Sequence, residues 1–317
     1  MRQQRLTIKK IPFEQIDFND KTYHLRPESD SDDAAVNDLA SSIKFCGILH
    51  PPLVLVKEDK NHTIIAGRRR LSIYRHHAAA RSCHCLVVPA AATPMDCWHL
   101  FFEEGLQGPT WSLIIKSRFL KKIMTTEGGR EEDALRFMGR LDLPANPHHL
   151  KKIIALTELE APLISAAQQG TISEKTALAM TAMSFRDRLA VFELISSLRL
   201  SVSNQRRLIQ TCLELCRRES TSIHTVLSSR KIMNILDEQD VSLPRQTVCL
   251  MEHLQNRQFP RLSAAQEEFE AWQDRLQLPK WASVSHTPAF EKDQVCLNLD
   301  FSSRDRLTEF LRHFPEF

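Results

Sequence analysis

The chain reads as an α/β N-terminal domain, an all-α middle domain and a small α+β C-terminal domain, at about residues 1–110, 111–220 and 221–317. Three observations carry this reading. At 317 residues the chain exceeds one ordinary domain. Its eight glycines supply few tight turns, which argues against a large antiparallel β-protein or a barrel. Short strand-like apolar stretches fall in the first hundred residues and once near the end, whereas the middle repeats at helical spacing.

Taken in order, apolar stretches at 8–16, 52–56, 63–66 and 85–88 predict strands. Val36, Leu39, Ala40 and Ile43 predict a helix over 34–45, with Ser31 or Asp32 as its cap and Gly47 as its stop. The strand at 63–66 runs into Gly67-Arg68-Arg69-Arg70, and a helix resumes over 71–80. From 111 to 220 five or six short helices are expected, broken at 127–129, 143–147, 169–171 and 200–204. Asn146 and Pro147 suit an N-cap and first helical position. The helix they open, 148–156, buries Leu150, Ile153 and Ile154 and turns His148, His149, Lys151 and Lys152 outward. The C-terminal part predicts a helix over 262–276, a strand whose apolar residues alternate from Val295 to Phe301, and a helix over 303–314.

Hydrophobic residues at 42% and charged residues at 26% describe a globular chain with real cores. A net charge of +3 excludes a uniformly basic coat protein. The three parts carry about +1, +5 and −3, so the basic surplus sits in the helical middle, as a nucleic-acid-binding module requires. No apolar run approaches the roughly 18 residues of a membrane helix. The start, MRQQRLTIKKIPFEQI, has no apolar segment of a signal peptide. Eight cysteines are too sparse for a disulfide scaffold and read as reduced thiols of a cytoplasmic protein. Cys83 and Cys85 share one strand face while His84 points away, so with Cys97 and His99 they suggest packing rather than a metal cluster. Cys212 and Cys216 lie one helical turn apart with Leu208 and Leu215, as core residues do.

A strand that turns at a glycine into a helix aims backbone N–H groups and a partial positive charge at one spot. Three arginines on that first turn add forked donors that match phosphate oxygens. The segment LASSIKFCGILHPPLVL, residues 39–55, lies just before IIAGRRRLS. This pair resembles the N-terminal domain of the ParB family of chromosome- and plasmid-partition proteins, which carries LA-SI---G-L-P--V followed by I-AGERR-RA. Arg26 sits where the family has an arginine before the first of these helices. The resemblance runs over roughly 8–215.

The resemblance implies a ParB/sulfiredoxin-like N-terminal fold that binds CTP with Mg²⁺, and a helix-turn-helix middle domain that binds double-stranded DNA at the nucleoid. It also implies a homodimer joined through C-terminal parts. Carried over by position, the nucleotide-binding set is Arg26, Gly47, Gly67, Arg68, Arg69 and Arg70, with Arg68 standing for the family glutamate and Ser72 for a later arginine. The third box, E-N-x-Q-R, falls on Glu104-Gly105-Leu106-Gln107-Gly108 and leaves Glu104 as the metal-side group. Two glycines cannot place a metal-bound phosphate or offset its charge, so phosphate binding is expected and hydrolysis is expected to be weak. In the middle domain a first helix over 131–138 turns Leu135 and Met138 inward, and Asn146, His148, His149, Lys151 and Lys152 form the DNA-binding set. The family segment ending G-H-A-R reads Glu174-Lys175-Thr176-Ala177 here, without its histidine and arginine. Two other readings stay open: an active CTPase switch or ParB-like nuclease or kinase, and an interaction module that has lost both ligands.

Overall fold

The structure, a computed structural model, describes residues 6–25, 33–59, 61–77, 80–108, 110–238, 240–287, 290 and 294–312. It divides into two compact units, Met1–Ala182 and Met183–Phe317. Arg26 and the expected caps Ser31 and Asp32 lie outside the described residues.

In the first unit a five-stranded mixed sheet runs in the order β1-β5-β3-β4-β2. The strands are β1 (Thr7–Pro12), β2 (Ile16–Asp17), β3 (Leu53–Val56), β4 (His62–Ala66) and β5 (Ser82–Val88). β1 pairs antiparallel with β5, and β3 with β4, whereas β3–β5 and β2–β4 are parallel. All five residues of β4 are buried, as befits a strand flanked on both sides. Register sets Ile11 against Cys83, and both thiols, Cys83 and Cys85, join Val54, Ile64 and Leu71 in the core, while His84 is exposed. α1 (Asp33–Cys46) packs on α2 (Arg68–His77). The second of these helices begins at Arg68, earlier than residue 71, so all three arginines are helical.

α3 (Pro94–Leu106) packs on β4, and its start is fixed by a capping box between Thr93 and Asp96 with Pro94 at the first turn. Five helices follow: α4 (Leu113–Thr125), α5 (Glu131–Arg140), α6 (Pro147–Ala155), α7 (Ala161–Gln168) and α8 (Glu174–Met180). Phe119 of α4 lies 5.4 Å from Phe102, 5.9 Å from Trp98 and 5.0 Å from Phe137 of α5, ring centroid to centroid. These interlocked rings join residues on both sides of position 110, and the first compact unit runs on to Ala182. α5 turns Ala134, Phe137 and Met138 inward, and Leu135 is half-buried rather than central. The helix phase favours the larger ring of Phe137 over Leu135.

The second unit contains α9 (Phe185–Ser197), α10 (Val202–Glu219), α11 (Ile223–Leu227), α12 (Arg230–Asp237), α13 (Leu243–Gln258) and α14 (Pro260–Arg275). Its core gathers Leu194, Leu208, Cys212, Leu215, Val226 and Leu250, and burial pushes the Cys212 thiol up to about 12. β6 (Ala282–His286) pairs antiparallel with β7 (Val295–Leu299), and α15 (Arg304–Arg312) follows. Among the described residues no helix is long and apolar enough to cross a membrane.

Candidate nucleotide site and helical surface

The sequence signals at 67–70 and 104–108 meet across one cleft of about 630 Å³, a volume within the range of small-molecule sites. Gly67 makes the approach possible. It has φ +87°, and a Cβ there would fall 2.9 Å from Pro52 Cβ and 3.1 Å from Pro52 Cα. Its carbonyl accepts the Leu71 amide at 3.0 Å and opens α2, so the first helical turn faces the cleft. Gly47, at φ +73°, ends α1 and accounts for the turn into β3, but it does not line the cleft.

The three arginines have different surroundings. Arg68 donates to the carbonyls of Phe18 (2.5 Å) and Asp20, tying the turn after β2 to the start of α2. Burial pulls its guanidinium below the ordinary range, while the carboxylates of Asp20 and Asp17 act in the opposite sense. Arg69 is half-buried and lines the cleft. Arg70 donates from Nη1 to the His50 carbonyl at 2.5 Å and from Nη2 to the Glu104 carboxylate, with which it forms an ion pair.

Asp20 anchors the neighbouring turn. Its Oδ2 accepts from Thr63 Oγ1 at 2.8 Å and faces Lys57 Nζ at 2.9 Å. Burial alone would raise its pKa, but hydrogen bonds from Thr22, Lys57 and Thr63 outweigh it and hold the carboxyl far below the usual range.

Glu104 reaches the cleft because α3 turns its neighbour Glu103 the other way, onto Arg140 of α5. Gly105 has a local reason to be glycine. A Cβ there would meet the Trp111 indole at 2.3 Å from Cζ2 and 2.9 Å from Cε2. Trp111 is held by Phe101, Phe102 and Phe119 at centroid distances of 5.7, 5.7 and 5.2 Å, and its indole lines the cleft. Sequence reading did not single out Trp111. A glycine inside a helix, costly by roughly 1 kcal/mol, was the signal that something large approaches. Tyr23 and Leu25, just before Arg26, also line the cleft and are buried. The lining thus combines the arginines of Gly67–Arg70 with the apolar side chains of Leu39, Phe101, Trp111 and Ile115.

Glu104, on Arg70, and Gln107 are side-chain oxygen donors of the cleft. Among the described residues no group of three or more His, Cys, Asp or Glu side chains could hold a metal ion. This donor set fits an ion that arrives on a phosphate ligand, as Mg²⁺ does with one or two carboxylates, and does not fit a resident ion.

The residues expected to meet DNA lie at the start of α6. Asn146 Oδ1 accepts the His149 amide at 2.8 Å and Pro147 occupies the first turn. His148, Lys151 and Lys152 are exposed, His149 is half-buried, and Leu150 and Ile153 form the inner face, with Ile154 half-buried. The positions that match G-H-A-R do other work here. Ser173 caps α8, Thr176 and Ala177 are buried, and Glu174 accepts the Leu113 amide at 3.0 Å to cap α4. Gly170 keeps its turn at φ +77°.

Residues 2–94 match the family model described as ParB N-terminal domain. The resemblance read from residues 39–71 is therefore borne out for the N-terminal part of the chain, which carries a divergent ParB N-terminal domain with a mixed sheet, followed by a largely helical remainder. No curated protein sequence matches the chain. Among solved structures it is similar to the C-terminally truncated chromosome-partitioning protein ParB from Caulobacter crescentus complexed to the centromeric parS site, at 18% identity and a TM-score of 0.39, over 64% of this chain and 98% of that one. The same Caulobacter protein complexed with CTP-γ-S is similar at 20% identity and a TM-score of 0.28, over 60% and 98%. A Pnob8-like ParB-N domain is similar at 15% identity and a TM-score of 0.40, over 80% and 99%.

Proposed function

We propose that the protein is a ParB-like DNA-binding protein whose helical part, about 111–220, contacts duplex DNA as a helix-turn-helix module, and whose N-terminal domain binds a nucleotide. The observation that carries the reading is the convergence of Gly67–Arg70 with Glu104–Gly108 on one cleft lined by both arginines and aromatic rings. A nucleotide has the matching polarity, with phosphates for Arg69 and Arg70 and a base for the apolar wall. CTP is the nucleotide that the family resemblance of residues 2–94 points to, with Mg²⁺ carried on its phosphates. Arg68 contributes by fixing the turn at Phe18–Asp20. Hydrolysis is disfavoured, because Gly105 and Gly108 offer no side chain to the transferring phosphate and Trp111 fills the space beside Gly105.

On the DNA side, Asn146, His148, Lys151 and Lys152 give α6 exposed donors at and after its N-terminal end, with His149 half-buried among them, as a recognition helix requires. Dimerisation through the C-terminal part belongs to the same reading, supported by the exposed apolar residues Leu297 and Leu311. The deciding experiment is calorimetric titration of the full chain with CTP and Mg²⁺, with and without duplex DNA. Saturable binding of both ligands supports the reading. DNA binding without any nucleotide binding removes its N-terminal half, and the reverse result removes its helical half.

A further inference from the structure

The Arg70 guanidinium is engaged at both terminal nitrogens, by the His50 carbonyl and by the Glu104 carboxylate. The pair is not sealed in the core, since the two side chains keep 20% and 38% of their surface. A carboxylate and a phosphate offer a guanidinium the same thing, a pair of acceptor oxygens in one plane. Glu104 belongs to the last turn of α3, where the helix dipole adds negative charge. Gly105 and Gly108, which flank it along the cleft, contribute no side chain that would hold the carboxylate in place. An incoming phosphate therefore meets a negative group already seated on its arginine.

We infer that Glu104 is an internal competitor for the phosphate position on Arg70, so that ligand binding proceeds by exchange: phosphate takes the guanidinium and the carboxylate is released. A divalent cation on the phosphates gives the released carboxylate a partner, which makes the exchange dependent on that cation. The inference deepens the nucleotide-site reading and rests on it.

The test is calorimetry on the full chain with CTP and, separately, with tripolyphosphate, each in Mg²⁺ and in EDTA. Wild type is compared with Glu104→Gln, Glu104→Ala and Arg70→Gln, with thermal melts as the check on folding. In EDTA both Glu104 variants are expected to bind either probe roughly fivefold more tightly than wild type, the effect of removing one nearby like charge at the solvent-exposed limit. The gain from adding Mg²⁺ is expected to shrink in the same variants, and Arg70→Gln is expected to lose binding. Glu104 variants that bind no better than wild type in EDTA, with wild type still binding in Mg²⁺, overturn the exchange and leave the nucleotide site standing. A gain with CTP but not with tripolyphosphate also overturns it, since the competition is for phosphate. Absence of binding by every protein in every buffer overturns the exchange and the nucleotide-site reading together.

Discussion

Gly67 combines a left-handed backbone with contact against Pro52, so it tolerates no side chain. Gly67→Ala is expected to cost roughly 1–3 kcal/mol of stability, read by urea unfolding, and to lower phosphate affinity by displacing the first turn of α2. Gly105 is constrained by a neighbour rather than by its φ. Gly105→Ala drives a methyl into the Trp111 ring, with an expected loss of about 1–3 kcal/mol and a change in tryptophan emission as the indole leaves its ring cluster. In a Trp111→Leu background, itself less stable for the lost ring contacts, Gly105→Ala should add little further loss. Gly67–Arg70 was legible in the sequence because the chemistry lies in four consecutive residues at a strand–helix turn. The Arg70–Glu104 pair and the Gly105–Trp111 contact were not. The first joins residues 34 positions apart and the second is set by the packing of α4, neither of which a local pattern encodes.

At the scale of elements, the turn after β2 is joined to β4 through Asp20 and to α2 through Arg68. The depressed Asp20 pKa gives the sign of the acid response. Its stabilisation is fully present above the unfolded carboxyl value of about 4 and is lost as pH falls through the lower folded value. Wild type should therefore lose more thermal stability between about pH 5 and pH 2 than Asp20→Asn, which starts less stable at neutral pH. For α6, Lys151→Glu with Lys152→Glu is expected to abolish DNA binding in a mobility-shift assay while the melting profile is kept. Neutral replacement by Gln should instead reduce the salt slope of binding by about two. The helix itself could be read from Asn146-Pro147 and from Leu150 and Ile153, because cap, fixed φ and apolar spacing agree. β6 was not read, since Ala-Ser-Val-Ser-His alternates but offers only one small and one medium apolar side chain, a weak signal beside the Val, Leu and Leu of β7 with which it pairs. On α5 Met138 is buried as expected, but Phe137 takes the place expected of Leu135 because it packs on the rings of α3 and α4, contacts that the local pattern does not encode.

For the whole molecule, the boundary between compact units falls after Ala182, not in the loop before α4. Residues 1–182 expressed alone are therefore expected to unfold in one cooperative transition, whereas a fragment ending at 110 should melt broadly, with Phe102 and Trp98 stripped of Phe119. The charge of the helical middle, hidden in a total of +3, was readable by simple counting, whereas contacts across position 110 such as Phe102–Phe119 depend on tertiary packing that composition does not encode. Those same rings join the wall of the cleft to α4, on which the helix that carries Lys151 and Lys152 packs, within one compact unit. Two occupants of such a body answer to a reciprocity law: whatever factor CTP imposes on the affinity for duplex DNA, the DNA must impose on CTP. Measuring both factors on the full chain closes a thermodynamic square, and any inequality between them would show that one of the titrations had not reached equilibrium.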